Sequence, residues 1–346
     1  MAKTEFDPVV VDIPEAPAIP GLRFRPPAGP ADYAPMAAVY AACAEADQLD
    51  EVVTEADLAN FLENPIGSDP AHDNLVAEID GRLVAYSWMN HRRELAGDEI
   101  HPHRGYVHPA WRGRGIGTAM ARHAWRRAAA QSLGEGPAEV RVLQAFLLES
   151  EAAGHALLSS LGYTAVRYAF RMRRDLEAPM ADLPIPSGLE IRPARPEHYR
   201  GIWEAEREAF QDHWGYSPWP EEAYHRFLEF PHYDARLWQV AWDGEQVAGL
   251  VLNYINVEEN ERFGRKRGYT EDIAVRRPWR RRGLASALIA RSLAALKDHG
   301  MTEAVLGVDA ENRTGALRVY ERLGYTSFKQ WTVFRRQLPN SAEIDG

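Results

Sequence analysis

Residues 237–255, LWQVAWDGEQVAGLVLNYI, carry two β-rich apolar runs around Asp243-Gly244, a spacing that predicts a hairpin. YTEDIAV at 269–275 predicts a further strand. From Gly283 onward Leu284, Leu288, Ile289, Leu293 and Leu296 recur at helical spacing, and Gly300 supplies a C-terminal stop. EAVLGV (303–308) predicts a buried strand, ENRTGALRVYERLGY (311–325) a helix ending at Gly324, and KQWTVFRRQL a closing strand. The order is a helix pair, antiparallel strands, strand–turn–helix, then strand–helix–strand. This is a mixed α/β (α+β) pattern.

The chain repeats itself. GLRFRPPAGPADY at 21–33 resembles GLEIRPARPEHY at 188–199, and VAEIDGRLVAY at 76–86 resembles VAWDGEQVAGL at 240–250. RGRGIGTAM at 112–120 resembles RRRGLASAL at 280–288, and LLSSLGYTA at 157–165 resembles VYERLGYTS at 319–327. The pairs Gly21/Gly188, Gly81/Gly244, Gly115/Gly283 and Gly162/Gly324 are offset by 167, 163, 168 and 162 residues. Four ordered matches at nearly one spacing predict a duplicated domain. The seam falls at the proline-bearing stretch Pro179, Pro184, Pro186, which reads as a semi-rigid linker. The expected organisation is an N-terminal extension at 1–19, domains at 20–178 and 188–340, a linker at 179–187 and a tail at 341–346.

Composition narrows the function. The 346 residues carry a formal net charge of −10, with 45% hydrophobic and 26% charged positions, as in an ordinary globular protein. That acidity disfavours a nucleic-acid binder, whose basic surface extends over many residues. The single cysteine, Cys43, leaves no intrachain disulfide and no cysteine-based metal knuckle. No metal site is expected. The N-terminal segment lacks the basic and apolar regions of a signal peptide, and no run of 18 apolar residues occurs, so a cytoplasmic protein without a membrane partner is expected. Nothing in the sequence bears on oligomeric state.

Against that acidity, RRPWRRRGLA (276–285) concentrates five arginines. Arg280, Arg281, Arg282 and Gly283 lie between a predicted strand and a predicted helix. There the first helical N–H groups lack partners, and a glycine lets an anion approach them. This is a pyrophosphate cradle without the Gly-Lys-Ser/Thr of a nucleoside triphosphate loop.

The turn running from Arg280 through Gly283 to Ala285, the helix after it and the ending YERLGY resemble the GCN5-related N-acetyltransferase (GNAT) superfamily. The duplication, with FQDHWG (210–215) and GVDAENRTGALRVYERLGY, looks most like the tandem-domain acetyltransferases related to mycothiol synthase. The resemblance implies two tandem domains, each a mixed, mostly antiparallel twisted sheet flanked by helices. It implies acetyl-CoA as co-substrate, held by the arginine turn, by the backbone of Ile273 and Val275, and by Asn312. Asn312 also reads as a helix N-cap. Tyr320 stands where the family carries a general acid. Many members carry a carboxylate where this chain has Tyr269.

On a regular strand Tyr269, Glu271 and Ile273 share one face, while Thr270 and Asp272 share the other. Glu271 is the expected general base, with Asp272 its competitor should a bulge shift the phase. Phe210, Asp212, His213, Trp214, Tyr216 and Tyr269 are the candidate walls for a cationic amine. In the first copy Val107, Arg112, Gly113, Arg114, Gly115 and Gly117 keep a cradle. Leu158 replaces Tyr320, Ser150 replaces Asn312, and His101 and His103 match Tyr269 and Glu271. These histidines read as a surface pair. The first domain is therefore expected to be a non-catalytic partner that retains the option of binding CoA. The expected activity is acetyl transfer to a small-molecule amine in the second domain. The alternatives are an acyl-CoA-binding pseudoenzyme or sensor, and a protein lysine or N-terminal acetyltransferase.

Overall fold

The structure, a computed structural model, describes residues 10–131, 140–312 and 315–339. The predicted tail at 341–346 and the first nine residues of the extension lie outside the described residues. Two compact units emerge: unit 1 comprises Met1–Val166 with Val333–Gly346, and unit 2 comprises Arg167–Thr332.

Unit 1 opens with β1 (Leu22–Arg25), α1 (Pro30–Ala46), α2 (Glu55–Glu63) and α3 (Pro70–Asp73). It continues with β2 (Asn74–Ile79), β3 (Arg82–Met89), β4 (Arg92–Arg93), β5 (Glu99–Val107), α4 (Ile116–Ala130), β6 (Arg141–Leu148) and α5 (Ala152–Ser160). Next comes β7 (Thr164–Asp175), which runs into unit 2. Unit 2 follows with β8 (Glu190–Ile191), α6 (Tyr199–Phe210), α7 (Glu221–Leu228), β9 (Gln239–Asp243), β10 (Gln246–Tyr254) and α8 (Val257–Phe263). It closes with β11 (Arg267–Val275), α9 (Leu284–Asp298), β12 (Glu303–Asp309), α10 (Ala316–Arg322) and β13 (Thr326–Gln337).

The hairpin expected at Asp243-Gly244 is β9–β10, with Gly244 at φ 57°, a conformation glycine adopts without steric penalty. In unit 2 the strands lie in the order β7, β12, β11, β10, β9, β8. Only β11 and β12 pair in parallel, joined by α9, while the other pairs are antiparallel. Alternation along the strands builds two cores. Ala241, Ala248 and Val251 pack with Leu284, Leu288 and Leu293 of α9. Val240, Trp242, Leu250 and Leu252 pack with Ile202 and Trp203 of α6. Unit 1 repeats the plan with β1, β2, β3, β5 and β6 in order, and β5–β6 is again a parallel pair.

The boundary differs from the one expected at 179–187. From Ala169 onward β7 pairs with β12 in unit 2, whereas Val333–Gln337 of β13 belong to unit 1, whose strand β6 neighbours β13. Each of these strands has 12 residues, about twice the usual length, which is enough to leave one unit and enter the other. The linker is not loose either. Met180 and Ile185 pack against the core under α9. The helix expected over 311–325 is confined to Ala316–Arg322, with Gly315 at its N-cap, so Asn312 is not that cap.

The exchange predicts where the chain end matters. Phe334 and Leu338 are buried in the core of unit 1, and the Leu338 amide donates to the Arg141 carbonyl at 2.8 Å. Leu338→Ala should destabilise unit 1 by about 2–4 kcal/mol although it lies near the C-terminus. Denaturant unfolding followed by hydrogen exchange within β6 checks this; global stability and β6 protection equal to wild type would contradict it.

Candidate active site

The arginine–glycine turn leads directly into an uncapped helix. Gly283 adopts φ 83° and ψ 1° at the start of α9, with no side chain capping the helix. A Cβ built there would meet nothing within 4 Å. The turn therefore leaves free space at Gly283, beside the exposed Arg281 and Arg282, at a helix start whose first amides have no intrahelical partner.

Arg280 has a different role from the one expected. Its Nε donates to the Val275 carbonyl at 2.8 Å, and its terminal nitrogens donate to Asp212 at 2.5 Å and to the Ala209 carbonyl at 3.1 Å. Unit 1 repeats the device. Arg112 donates to the Val107 carbonyl at 3.0 Å and to both oxygens of Asp47 at 2.7 Å. These arginines tie the end of the central strand to the end of the first long helix, and they engage the Val107 and Val275 carbonyls in doing so. Asp212 is likewise withdrawn from the substrate wall. Hydrogen bonds from Arg277 and Arg280 hold its carboxyl well below the usual carboxylate range. Arg282 donates to the Ser187 carbonyl at 2.9 Å.

Beyond the turn, β11 and β12 pair only from Arg267/Glu303 to Tyr269/Val305. The rest of β11 has no β12 residue in register among the described residues, which leaves an open backbone edge next to Glu271, Ile273 and Val275. Unit 1 does the same, since β5 and β6 pair only from Glu99/Arg141 to Pro102/Gln144.

A bulge interrupts β11. Opposite β10 the register steps from Leu250↔Ala274 to Leu252↔Glu271, so two residues of β11 oppose one of β10. Asp272 sits in it at φ 48°, a left-handed conformation that is uncommon outside glycine. The phase flips across it. Before the bulge, the Thr270 hydroxyl meets the Tyr325 hydroxyl at 2.7 Å on the α9 side. After it, Ala274 lies in the core under α6, while Ile273 and Val275 pack toward α9. The common face expected for Tyr269, Glu271 and Ile273 is therefore broken. The bulge brings Asp272 toward α6, where Tyr233 donates to Asp272 Oδ2 at 2.5 Å and the buried Glu206 hydrogen-bonds the same carboxylate. Desolvation, followed by the neighbouring Asp272 charge, pushes the Glu206 carboxyl far up, so it keeps its proton.

Tyr320 is buried, its ring 6.1 Å from Tyr325, and desolvation followed by the Glu271 charge raises its hydroxyl pKa. That places Glu271 within electrostatic reach of Tyr320. Tyr269 stacks on Tyr254 at 4.6 Å and donates to Glu259, leaving its hydroxyl engaged. His213 packs against Phe210 with ring centroids 4.3 Å apart and planes tilted by 51°, and burial lowers its pKa. The exposed Trp214 already carries the Arg167 guanidinium 4.7 Å over its ring, while Tyr216 is half-buried nearby. Asn312 is half-buried in the loop after β12, its amide donating to the Asp309 carbonyl at 3.1 Å. A cavity of about 810 Å³ borders Tyr199, Tyr233 and Trp238 by β8 and β9, away from the edge left open by β12.

In unit 1 the match is partial. Leu158 is buried in the core. Gly115 has φ 91°, and Pro17 stands 3.2 Å from where its Cβ would be. Arg114 lies over the Trp111 ring at 4.6 Å. Gly117 packs against Leu157 and Val107, and Gly113 sits exposed with φ 73°. The histidines expected at the surface are buried, at 0% exposure for His101 and 7% for His103. The His103 ring bonds the Tyr163 hydroxyl at 2.8 Å.

Sequence reasoning missed Glu206 and Tyr233. The segment EAEREAF reads as a solvated acidic helix face, and nothing local marks Glu206 as its buried member.

An uncapped helix start after an arginine–glycine turn, beside a parallel strand pair that parts, defines a duplicated acyl-CoA-dependent transferase. Comparisons with known proteins make this specific. The family model described as "Acetyltransferase (GNAT) family" matches residues 199–325, and "Acetyltransferase (GNAT) domain" matches 70–165. A mycothiol acetyltransferase of Salinispora arenicola is 31% identical over 270 residues, 77% of this chain and 82% of that one. One from Salinispora tropica is 32% identical over 267 residues, covering 76% and 80%. A solved GCN5-related N-acetyltransferase from Sphaerobacter thermophilus matches 91% of this chain and 95% of its own, at 28% identity and TM-score 0.64. A tandem GNAT protein from the clavulanic acid biosynthesis pathway shares the fold at 18% identity and TM-score 0.64, over 91% and 98% of the two chains. The chain belongs to the GNAT superfamily, with the domain present twice, and is an acetyl-CoA-dependent N-acetyltransferase. Among the described residues no helix is long and apolar enough to cross a membrane.

The buried histidines give unit 1 a pH dependence. Desolvation lowers the pKa of His101 and of His103 to about 4, against 6.5 for the free group. Between those values the unfolded chain binds more protons, so stability falls as pH drops from about 6.5 to about 4, by up to roughly 3 kcal/mol per histidine. Denaturant midpoints for wild type and a His101→Gln variant over that range check this. An equal slope for both would show that His101 does not titrate with folding.

Proposed function

We propose that unit 2 transfers the acetyl group of acetyl-CoA to the primary amine of a small molecule by direct attack. The observation that carries this reading is the parting of β11 from β12 after Tyr269, which leaves an edge beside Glu271, a residue within electrostatic reach of Tyr320. Acetyl-CoA supplies a thioester carbonyl to the attacking amine and a thiolate as leaving group. The residues fit it. The amides of Gly283, Leu284 and Ala285, with Arg281 and Arg282, suit its pyrophosphate, and the open space at Gly283 admits the close approach. The edge that β12 leaves open at Ile273 and at the Val275 N–H, with Asn312, suits the pantetheine amides, while Arg280 occupies the Val275 carbonyl, and the Ile273 N–H is the candidate donor to the thioester carbonyl oxygen.

Glu271 removes the ammonium proton, directly or through water, and Tyr320 returns one to the leaving sulfur. A raised hydroxyl pKa keeps Tyr320 protonated at neutral pH, as an acid requires. Trp214, Tyr216 and His213 remain candidate acceptor walls, while Asp212 and Tyr269 support them from hydrogen-bonded positions. The matched relatives' name, mycothiol acetyltransferase, supports a small-molecule acceptor. Unit 1 is read as a non-catalytic partner, because Leu158 cannot donate a proton and Pro17 crowds Gly115.

Calorimetric titration with acetyl-CoA, on wild type and on Gly283→Glu, tests the assignment to unit 2. Binding should disappear in the variant while its melting transition persists. Undiminished binding would move the cofactor to unit 1. Tyr320→Phe should lower kcat by roughly 10²-fold or more with little change in acetyl-CoA affinity. Glu271→Gln should shift the acid limb of the rate profile to higher pH; steady-state kinetics from pH 5 to 9, on the order of the range where amines and carboxylates titrate, decides both.

A further inference from the structure

The bulge of β11 governs two things in the proposed site, the direction of Glu271 and the edge at Ile273 and Val275. A left-handed aspartate inside a strand is strained and persists only where its surroundings hold it. Here two groups do so from different elements. Tyr233 donates to Asp272 Oδ2 at 2.5 Å, and Glu206 of α6, only 4% exposed, hydrogen-bonds the same side chain. Glu206 lies among Ile202, Trp203 and Ala209, whose side chains form the core under α6. Two carboxylates in contact in such surroundings cannot both be charged, so one proton is shared and Glu206 is the donor.

We propose that Glu206 is a positioning residue, whose carboxylic acid proton pins Asp272 in the left-handed bulge and thereby orients Glu271 and the open edge of β11. The inference rests on unit 2 being the active unit, but not on Glu271 being the base. The titratable group facing both carboxyls is Tyr233 in the loop before β9, and Tyr254 on β10 in turn faces Tyr233 and Glu271. Removal of the shared proton at high pH sets two negative charges against each other beneath the bulge. Activity then falls on the alkaline side.

Three full-length variants test this. Glu206→Gln keeps a donor of the same shape that cannot ionise. It should retain kcat to within roughly fivefold, the worth of one hydrogen bond, and should lose the alkaline fall. Glu206→Leu removes the donor and should lower kcat by roughly 10²-fold, as expected for a small displacement of reacting groups, and weaken acetyl-CoA binding. Asp272→Asn should also lose the alkaline fall, which keeps the test alive should the leucine variant not fold. An alkaline fall retained in Glu206→Gln, or a glutamine variant as damaged as a folded leucine variant, overturns the proposal. Loss of acetyl-CoA binding in Gly283→Glu with a normal response at Glu206 supports both readings. Retained binding in Gly283→Glu with that same response would mean that unit 1 binds acetyl-CoA as well and would still support the role of Glu206, whereas retained binding with no response at Glu206 would overturn both readings.

Discussion

The fold turns on one constraint, a parallel strand pair that stops pairing partway. Parallel strands need a crossover between them, here α9, and the crossover delivers β12 beside β11 for three residues before the strands part. Past that point the β11 backbone keeps its hydrogen-bonding groups without a strand to receive them, and buried backbone groups demand partners. A ligand with amides of its own would meet that demand. The same helix that forces the crossover points its uncapped N-terminus toward the exposed arginines. The parted edge and the open helix start are thus two consequences of one βαβ connection.

Duplication preserved the scaffold more closely than the chemistry. Arg112 with Asp47, and Arg280 with Asp212, make the same tie between a strand carbonyl and the end of a helix. Both units carry a glycine in the left-handed region at the start of their crossover helix. The chemistry around the slot differs. Unit 2 collects Glu271, Tyr320 and the Asp272–Glu206 pair, while unit 1 has Leu158 and two buried histidines whose neutrality suits packing.

Repetition, the hairpin at Asp243-Gly244, the crossover helix and the glycine turn before it were all legible, because each is written in local spacing or in residues with restricted backbone freedom. The bulge was not. A strand of alternating character gives no notice that one aspartate will turn left-handed, since the cause is Glu206 reaching it from 66 positions earlier. Nor was the role of Asp212, which in FQDHWG looks free for a cation and is instead held by Arg277 and Arg280. The last strands misled for a related reason. Their pattern marks them as strands but carries no information about which neighbour they pair with, so Val333–Leu338 read as part of the second copy.

By itself, then, the amino-acid order determined that the domain occurs twice, that each copy has one crossover helix opening on a glycine turn, and that basic charge gathers at the second turn. These follow from periodicity, from glycine's tolerance of positive φ and from simple charge count. Tertiary structure alone decided which arginines are tied to Asp212 and the strand end and which stay exposed, where β11 changes phase, and which carboxyl keeps its proton. Those outcomes depend on burial and on partners distant in sequence, and short-range pattern holds neither.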